Sequence, residues 1–238
     1  YQSWYNKIMK TLYVDFDEEK IAANLDEVVP LFPLDNVVFF PNTVLPLHIF
    51  EERYKEMIED STNSNNLICM SLMYDSSKGN QDSSNIAKIG CVGRIISNEE
   101  TDEGRKNIIL YGISRIKIDE IIYTKPYRQA KINIVSQTKS SDSIPLSKRI
   151  TDLTSEWNLL LEDYNENYKI KVDPDASLSK LTDSLSSIVV TSTNERQWFL
   201  EETNEAKRAL KLIETLESRI DYLMGKIELP DKDSESIN

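Results

Sequence analysis

VVPLFPLDNVVFFPNTVLPLHIFEERYKEMI, residues 28–58, is the stretch around which the rest of the chain is organised. Four prolines, Pro30, Pro33, Pro41 and Pro46, divide it into short apolar pieces. Proline fixes φ and lacks an N–H, which suits strand edges, strand starts and turns. The pattern predicts a short buried strand over Val37, Val38, Phe39 and Phe40, closed by a turn at Pro41 and Asn42. Leu45, Pro46 and Leu47 form a second extended piece. The period then changes. Phe50, Tyr54, Met57 and Ile58 fall at i, i+4, i+7 and i+8, the apolar face of a helix. Glu51 and Glu52 stand in its first turn, where the helix dipole favours negative charge.

Outward from this stretch the chain is strand-like up to residue 135. Residues 67–73, LICMSLM, are apolar on both faces, as in an interior strand. Residues 75–85, DSSKGNQDSSN, have the composition of a loop. Residues 89–97 and 107–118 read as a hairpin around an acidic tip, EETDEGR, at 99–105. Gly90 and Gly93 suggest a bulge or a close backbone approach. Residues 128–135 alternate again, with Ala130, Ile132 and Ile134 against Lys131 and Asn133. About six short strands and one helix are enough to curl into a small closed or half-closed sheet.

PLFPL, VVFFP and PLHIFEERY, taken in that order, resemble the opening of the Lon protease N-terminal, substrate-binding domain. The similarity is greatest to stand-alone bacterial and chloroplast-type members. Three later segments keep the family's order and spacing: IGCVGRI at 89–95, YGISRIKI at 111–118 and KPY at 125–127. The resemblance implies an α+β fold: a PUA-like small β-barrel or curled sheet with one packed helix, then an α-helical subdomain. It also implies a module that engages polypeptides, without the ATPase and protease domains of full-length Lon.

The chain divides accordingly into an N-terminal extension (1–27), the β subdomain (28–135), a linker (136–145), a helical subdomain (146–229) and a disordered tail (230–238). Beyond the polar linker SQTKSSDSIP the periodicity is helical. Ile150, Leu153, Trp157, Leu160 and Leu161 mark one helix, and Leu178, Leu181, Leu185, Ile188 and Val189 a second. A long helix is predicted over 195–224. Ala206, Ala209, Ile213, Leu216, Ile220, Leu223 and Ile227 step by 3 and 4, a heptad seam. That seam either packs inside the helical subdomain or meets a partner helix, which would make a homodimer.

With 28 Lys+Arg against 40 Asp+Glu, the net charge is −12. Nucleic acids and anionic membrane surfaces need a basic footprint, and no dense Lys/Arg run exists here. No apolar run is long enough to span a bilayer and no secretory signal opens the chain, so a cytoplasmic location is expected, or the plastid stroma for a plant-type source. Cys69 and Cys91 fit buried hydrophobes in a reducing compartment, with a disulfide or metal pair as the alternative.

No phosphate-binding loop, nucleophile elbow or zinc-helix motif occurs, and His48 is the one histidine. An enzyme is therefore not expected, nor a cofactor or metal, although a hydrolase on the same fold is a formal alternative. Binding is what remains: unfolded or specific polypeptides as ligands, with an ATP-dependent protease as a further partner. Candidate contact residues are Phe40, His48, Phe50, Arg53, Tyr54, Arg94 and Arg115. The arginines interrupt apolar runs within the resembling segments, and internal salt bridges are their structural alternative. The aromatic residues also complete local periodicities, so core packing is theirs. A scaffolding protein that oligomerises through helix 195–224 is the rival reading.

Overall fold

In the computed structural model, residues 28–74, 85–101, 104–161 and 169–227 are described. The expected extension at 1–27, nearly all of the 75–85 loop and the tail at 230–238 lie outside them. Six strands come first: β1 (Val28–Asp35), β2 (Val44–Ile49), β3 (Leu67–Met73), β4 (Ile89–Glu100), β5 (Lys106–Ile122) and β6 (Arg128–Ile134). Helix α1 (Glu52–Thr62) lies between β2 and β3. Four helices follow: α2 (Ser143–Leu160), α3 (Leu178–Val189), α4 (Thr193–Glu201) and α5 (Glu205–Ile227).

The strands form one sheet in the order β2-β5-β4-β3-β1-β6, and β5 also pairs with β6. The 17-residue β5 thus meets β2 along Lys106 to Tyr111 and β6 along Ile116 to Ile122. The result is a curled sheet rather than a closed barrel.

The first predicted strand is displaced. Residues Val37 to Phe40 carry no strand, and the strand is β1, which contains both Pro30 and Pro33. Staggered partners explain how it tolerates them. Parallel pairing with β3 covers Leu31 to Asp35, and antiparallel pairing with β6 covers Val28 to Leu31. Only Leu31 has strand neighbours on both sides, so each proline sits where one edge of β1 needs no donor. Asn36, at φ 59°, turns the chain out of β1.

The segment that follows crosses β5 closely. Gly112 accepts from the Asn42 N–H and donates to the Thr43 carbonyl, at 2.8 and 2.9 Å. A Cβ at Gly112 would lie 2.1 Å from the Phe40 carbonyl oxygen. Gly93 and Gly90 behave as expected: the β4–β5 register shifts at Val92/Gly93, and Gly90 lies against the Met70 carbonyl.

Two apolar clusters form. Val29, Leu31, Leu67, Cys69, Val92, Ile113, Ile116 and Ile132 form one cluster on one side of the sheet. The larger cluster runs from Phe32, Phe40 and Met57 to Leu185, Phe199, Leu212 and Leu216, joining sheet, α1 and helices. Cys69 belongs to the first cluster and Cys91 to the second, so they lie on opposite faces of the sheet. Both are buried, unbridged thiols in this fold, and burial raises the pKa of each.

The helical half departs from expectation most clearly in its last part. The helix predicted as continuous over 195–224 is two helices, broken at residues 202–204. Arg115 donates to the Phe199 and Leu200 carbonyls and Arg208 to the Glu202 carbonyl, which ends α4. The Asn204 side chain then accepts from the Lys207 N–H and caps α5. Ala209, Leu212, Leu216 and Ile220 form the buried stripe of α5, which packs on α2 and α3. Leu212, off the predicted heptad seam, is inside, whereas Ile213 is half-buried. No described helix is long and apolar enough to cross a membrane.

Candidate functional site

Four of the seven candidate residues meet where β2 enters α1. β2 is the end strand of the sheet and pairs only with β5. The Gly112–Thr43 hydrogen bond sets the phase of that ladder, so Leu45, Leu47 and Ile49 bond toward β5. Pro46 then turns its missing donor to the open edge, which blunts it against indiscriminate strand pairing.

Beyond Ile49 the chain presents Phe50, 62% exposed and just ahead of α1. The prediction that it joins the buried helical face fails, because the helix begins only at Glu52. Its ring lies 6.5 Å from that of His48. His48 Nδ1 is 2.7 Å from Asn107 Oδ1. Arg53 pairs with Glu51 at 2.7 Å and lies 4.5 Å over the Tyr54 ring. Tyr54 is buried, its ring tilted 40° against that of Phe32 with the centroids 4.3 Å apart. Burial raises its phenol pKa, and the Arg53 charge opposes that shift. The surface is therefore one apolar knob flanked by two polar pairs, set on a rigid aromatic base.

The other three candidates lie elsewhere. Arg94 is half-buried on β4, opposite Tyr111, which in turn pairs with Val44. Register places it on the same sheet face as His48, four residues along. Phe40 is fully buried beneath the β5 crossing. Arg115 is 0% exposed and bonded to Asp183, so neither it nor Phe40 can touch a ligand in this fold. For Arg115 the internal salt bridge is the arrangement observed.

Sequence reasoning missed a cleft of about 510 Å³ between sheet and helices. Asn42, Tyr111, Gln137, Lys139, Lys180 and Glu205 are among the residues lining it. The polar run SQTKSS was its one sign in the sequence, and that run reads simply as a linker.

The family model of the ATP-dependent protease La (LON) substrate-binding domain matches residues 28–218. The chain belongs to the Lon substrate-binding domain family. It is 24% identical over 204 residues to the Lon protease of Dictyoglomus thermophilum, covering 85% of this chain and 26% of that protein. It is 25% identical over 230 residues to that of Flavobacterium johnsoniae, covering 95% and 28%. The chain thus spans about a quarter of the length of these Lon proteases.

The Lon fold is also seen in solved structures. The N-terminal domain of Mycobacterium avium complex Lon protease superposes with a TM-score of 0.59 at 15% identity, covering 80% of this chain and 98% of that one. A Lon N-terminal domain protein from Xanthomonas campestris gives 0.59 at 20% identity, covering 78% and 96%.

Proposed function

We propose that this Lon-family chain is a non-catalytic polypeptide-binding module, acting in the cytoplasm as an adaptor that presents unfolded segments to an ATP-dependent protease. The observation that carries the reading is the family match over residues 28–218. The surface that fits it is the exposed Phe50 beside His48 and Arg53, next to the open edge of β2. An apolar anchor with polar groups around it is how a groove or edge recognises a segment without reading much of its sequence. Charges at this surface are neutralised in pairs, Arg53 with Glu51 and Lys55 with Glu52, so it suits an apolar segment.

The test is capture of reduced, carbamidomethylated α-lactalbumin by the purified chain, beside a Phe50→Ser/His48→Ala variant of unchanged thermal stability. Loss of capture in the variant supports the reading, and equal capture moves the site elsewhere. Pull-down from extract with the same pair of proteins tests the protease partner. The rival scaffolding role would have to use the outward residues Leu210 and Tyr222 of α5, since the inner stripe is occupied within the chain.

A further inference from the structure

The cleft between sheet and helices is built from both parts of the chain. One wall is the Pro41–Asn42 turn with Tyr111, Ile113 and Ser114 of β5. The other is the strap joining β6 to α2, together with the start of α3 and Glu205. The strap is pinned to α5. Thr138 donates its N–H to the Thr203 carbonyl at 3.0 Å and accepts from the Glu205 N–H at 3.1 Å. Ser140 donates its N–H to Glu205 Oε2 at 3.1 Å.

Within that frame the orientation of Gln137 is settled. Arg208 Nη2 lies 2.6 Å from its Oε1, and a guanidinium has no acceptor, so the atom it meets is the carbonyl oxygen. The Ser179 hydroxyl donates to the same oxygen at 2.9 Å. The Gln137 amide nitrogen is left with two donors and no hydrogen-bond partner among the described residues. Lys139 and Lys180 line the same cleft, the latter only 3.9 Å from Asp173 in an exposed pair. Two lysines stand against one carboxylate, Glu205, in a chain whose net charge is −12. The lining itself therefore carries one positive charge in excess, with Asp173 just outside it beside Lys180.

We propose that this cleft binds a carboxylate, supplied by the C-terminal end of a polypeptide or by a free small acid. The proposal rests on the polypeptide-binding reading and adds a second, charge-selective contact to it. Lys139, Lys180 and the Gln137 amide are donors suited to one monoanion. Glu205 opposes a doubly charged phosphate, yet can accept a main-chain N–H from the residues that precede a chain terminus. The cleft volume lies in the range of small-ligand sites.

The test uses fluorescence anisotropy with a fluorescein-labelled tetra-alanine peptide, as the free acid and as the C-terminal amide. Amidation should weaken binding by about tenfold or more, and so should Lys139→Ala/Lys180→Ala acting on the acid alone. Gln137→Ala should act in the same direction. Displacement of the acid peptide by sodium acetate assigns the site to the carboxylate group itself. Failure of acetate to displace it assigns the site to the chain end.

Equal binding of acid and amide, no binding of either, or better displacement by sodium phosphate than by acetate would each overturn the proposal. Capture of carbamidomethylated α-lactalbumin separates the two readings. Capture without any carboxylate preference retires the cleft alone. Carboxylate binding without capture retires the polypeptide reading and leaves a small-acid site.

Discussion

Arg115 of β5 and Asp183 of α3 form a bidentate ion pair, 2.8 Å from Nη1 to Oδ2 and 2.5 Å from Nη2 to Oδ1, with neither side chain reaching solvent. The remaining Arg115 donor, Nε, bonds the Leu200 carbonyl at 2.9 Å, and Nη2 also meets the Phe199 carbonyl. One guanidinium thereby fastens the sheet to α3 and α4. Arg208 stands 3.8 Å from the same carboxylate, and burial together with the Arg115 charge pulls its pKa down to about 10. Asp183→Ala would leave the buried Arg115 guanidinium without its counter-charge, a loss of about 3–5 kcal/mol. Urea denaturation should show it. Arg115→Met/Asp183→Leu should be less destabilising than Asp183→Ala alone.

Phe50 and Phe40 should separate binding from stability. Phe50→Ser removes an exposed ring and should change stability by less than about 0.5 kcal/mol while reducing client capture. Phe40→Ala empties a fully buried site and should cost about 3–5 kcal/mol. Thermal melts beside capture assays on the two variants check both halves of this prediction.

Gly112→Ala should be among the most damaging small substitutions. Its methyl would lie 2.1 Å from the Phe40 oxygen, and that neighbour is backbone, hydrogen-bonded to its surroundings through Thr43. Overpacking of this kind costs about 1–3 kcal/mol or more, read as a lowered urea midpoint.

Asp60 on α1 accepts from Lys125 at 2.7 Å and from the Tyr127 hydroxyl at 2.5 Å. The Lys125 bond first, then the Tyr127 bond, lowers the Asp60 pKa below its ordinary 3.8. The folded state therefore binds this proton less readily than the unfolded chain. The clasp contributes stability above pH 3.8 and loses it as pH falls through the lower folded value. Asp60→Asn should flatten this acid-side dependence, seen in urea midpoints measured across that range, and an NMR titration of Asp60 should show the depressed midpoint directly.

Leu216 and Leu210 distinguish in-chain packing from self-association. Leu216→Ala cuts into the buried stripe of α5 and should cost about 2–5 kcal/mol. Leu210, 53% exposed, should tolerate Ser without loss of stability. A dimer built on the outer face of α5 would lose mass in sedimentation with Leu210→Ser, and a monomer would show no change.

Local pattern was a reliable guide wherever one face of an element meets one environment. LICMSLM, the β4–β5 hairpin, the buried face of α1 and the glycine approaches were legible because periodicity and sterics act within a few residues. The order of the Lon-type segments carried the fold class in the same way. Tertiary structure decided what depends on partners distant in the chain. β1 holds two prolines because β3 and β6 cover different halves of it. The helix predicted over 195–224 breaks because Arg115, more than eighty residues upstream, takes the carbonyls at the end of α4. The same buried pair removed Arg115 from the candidate surface, and the fold alone brought Gln137, Lys180 and Glu205 to one cleft. Backbone preference and burial pattern are local quantities, whereas the satisfaction of a buried charge or a strand edge is settled only when the chain has folded back on itself.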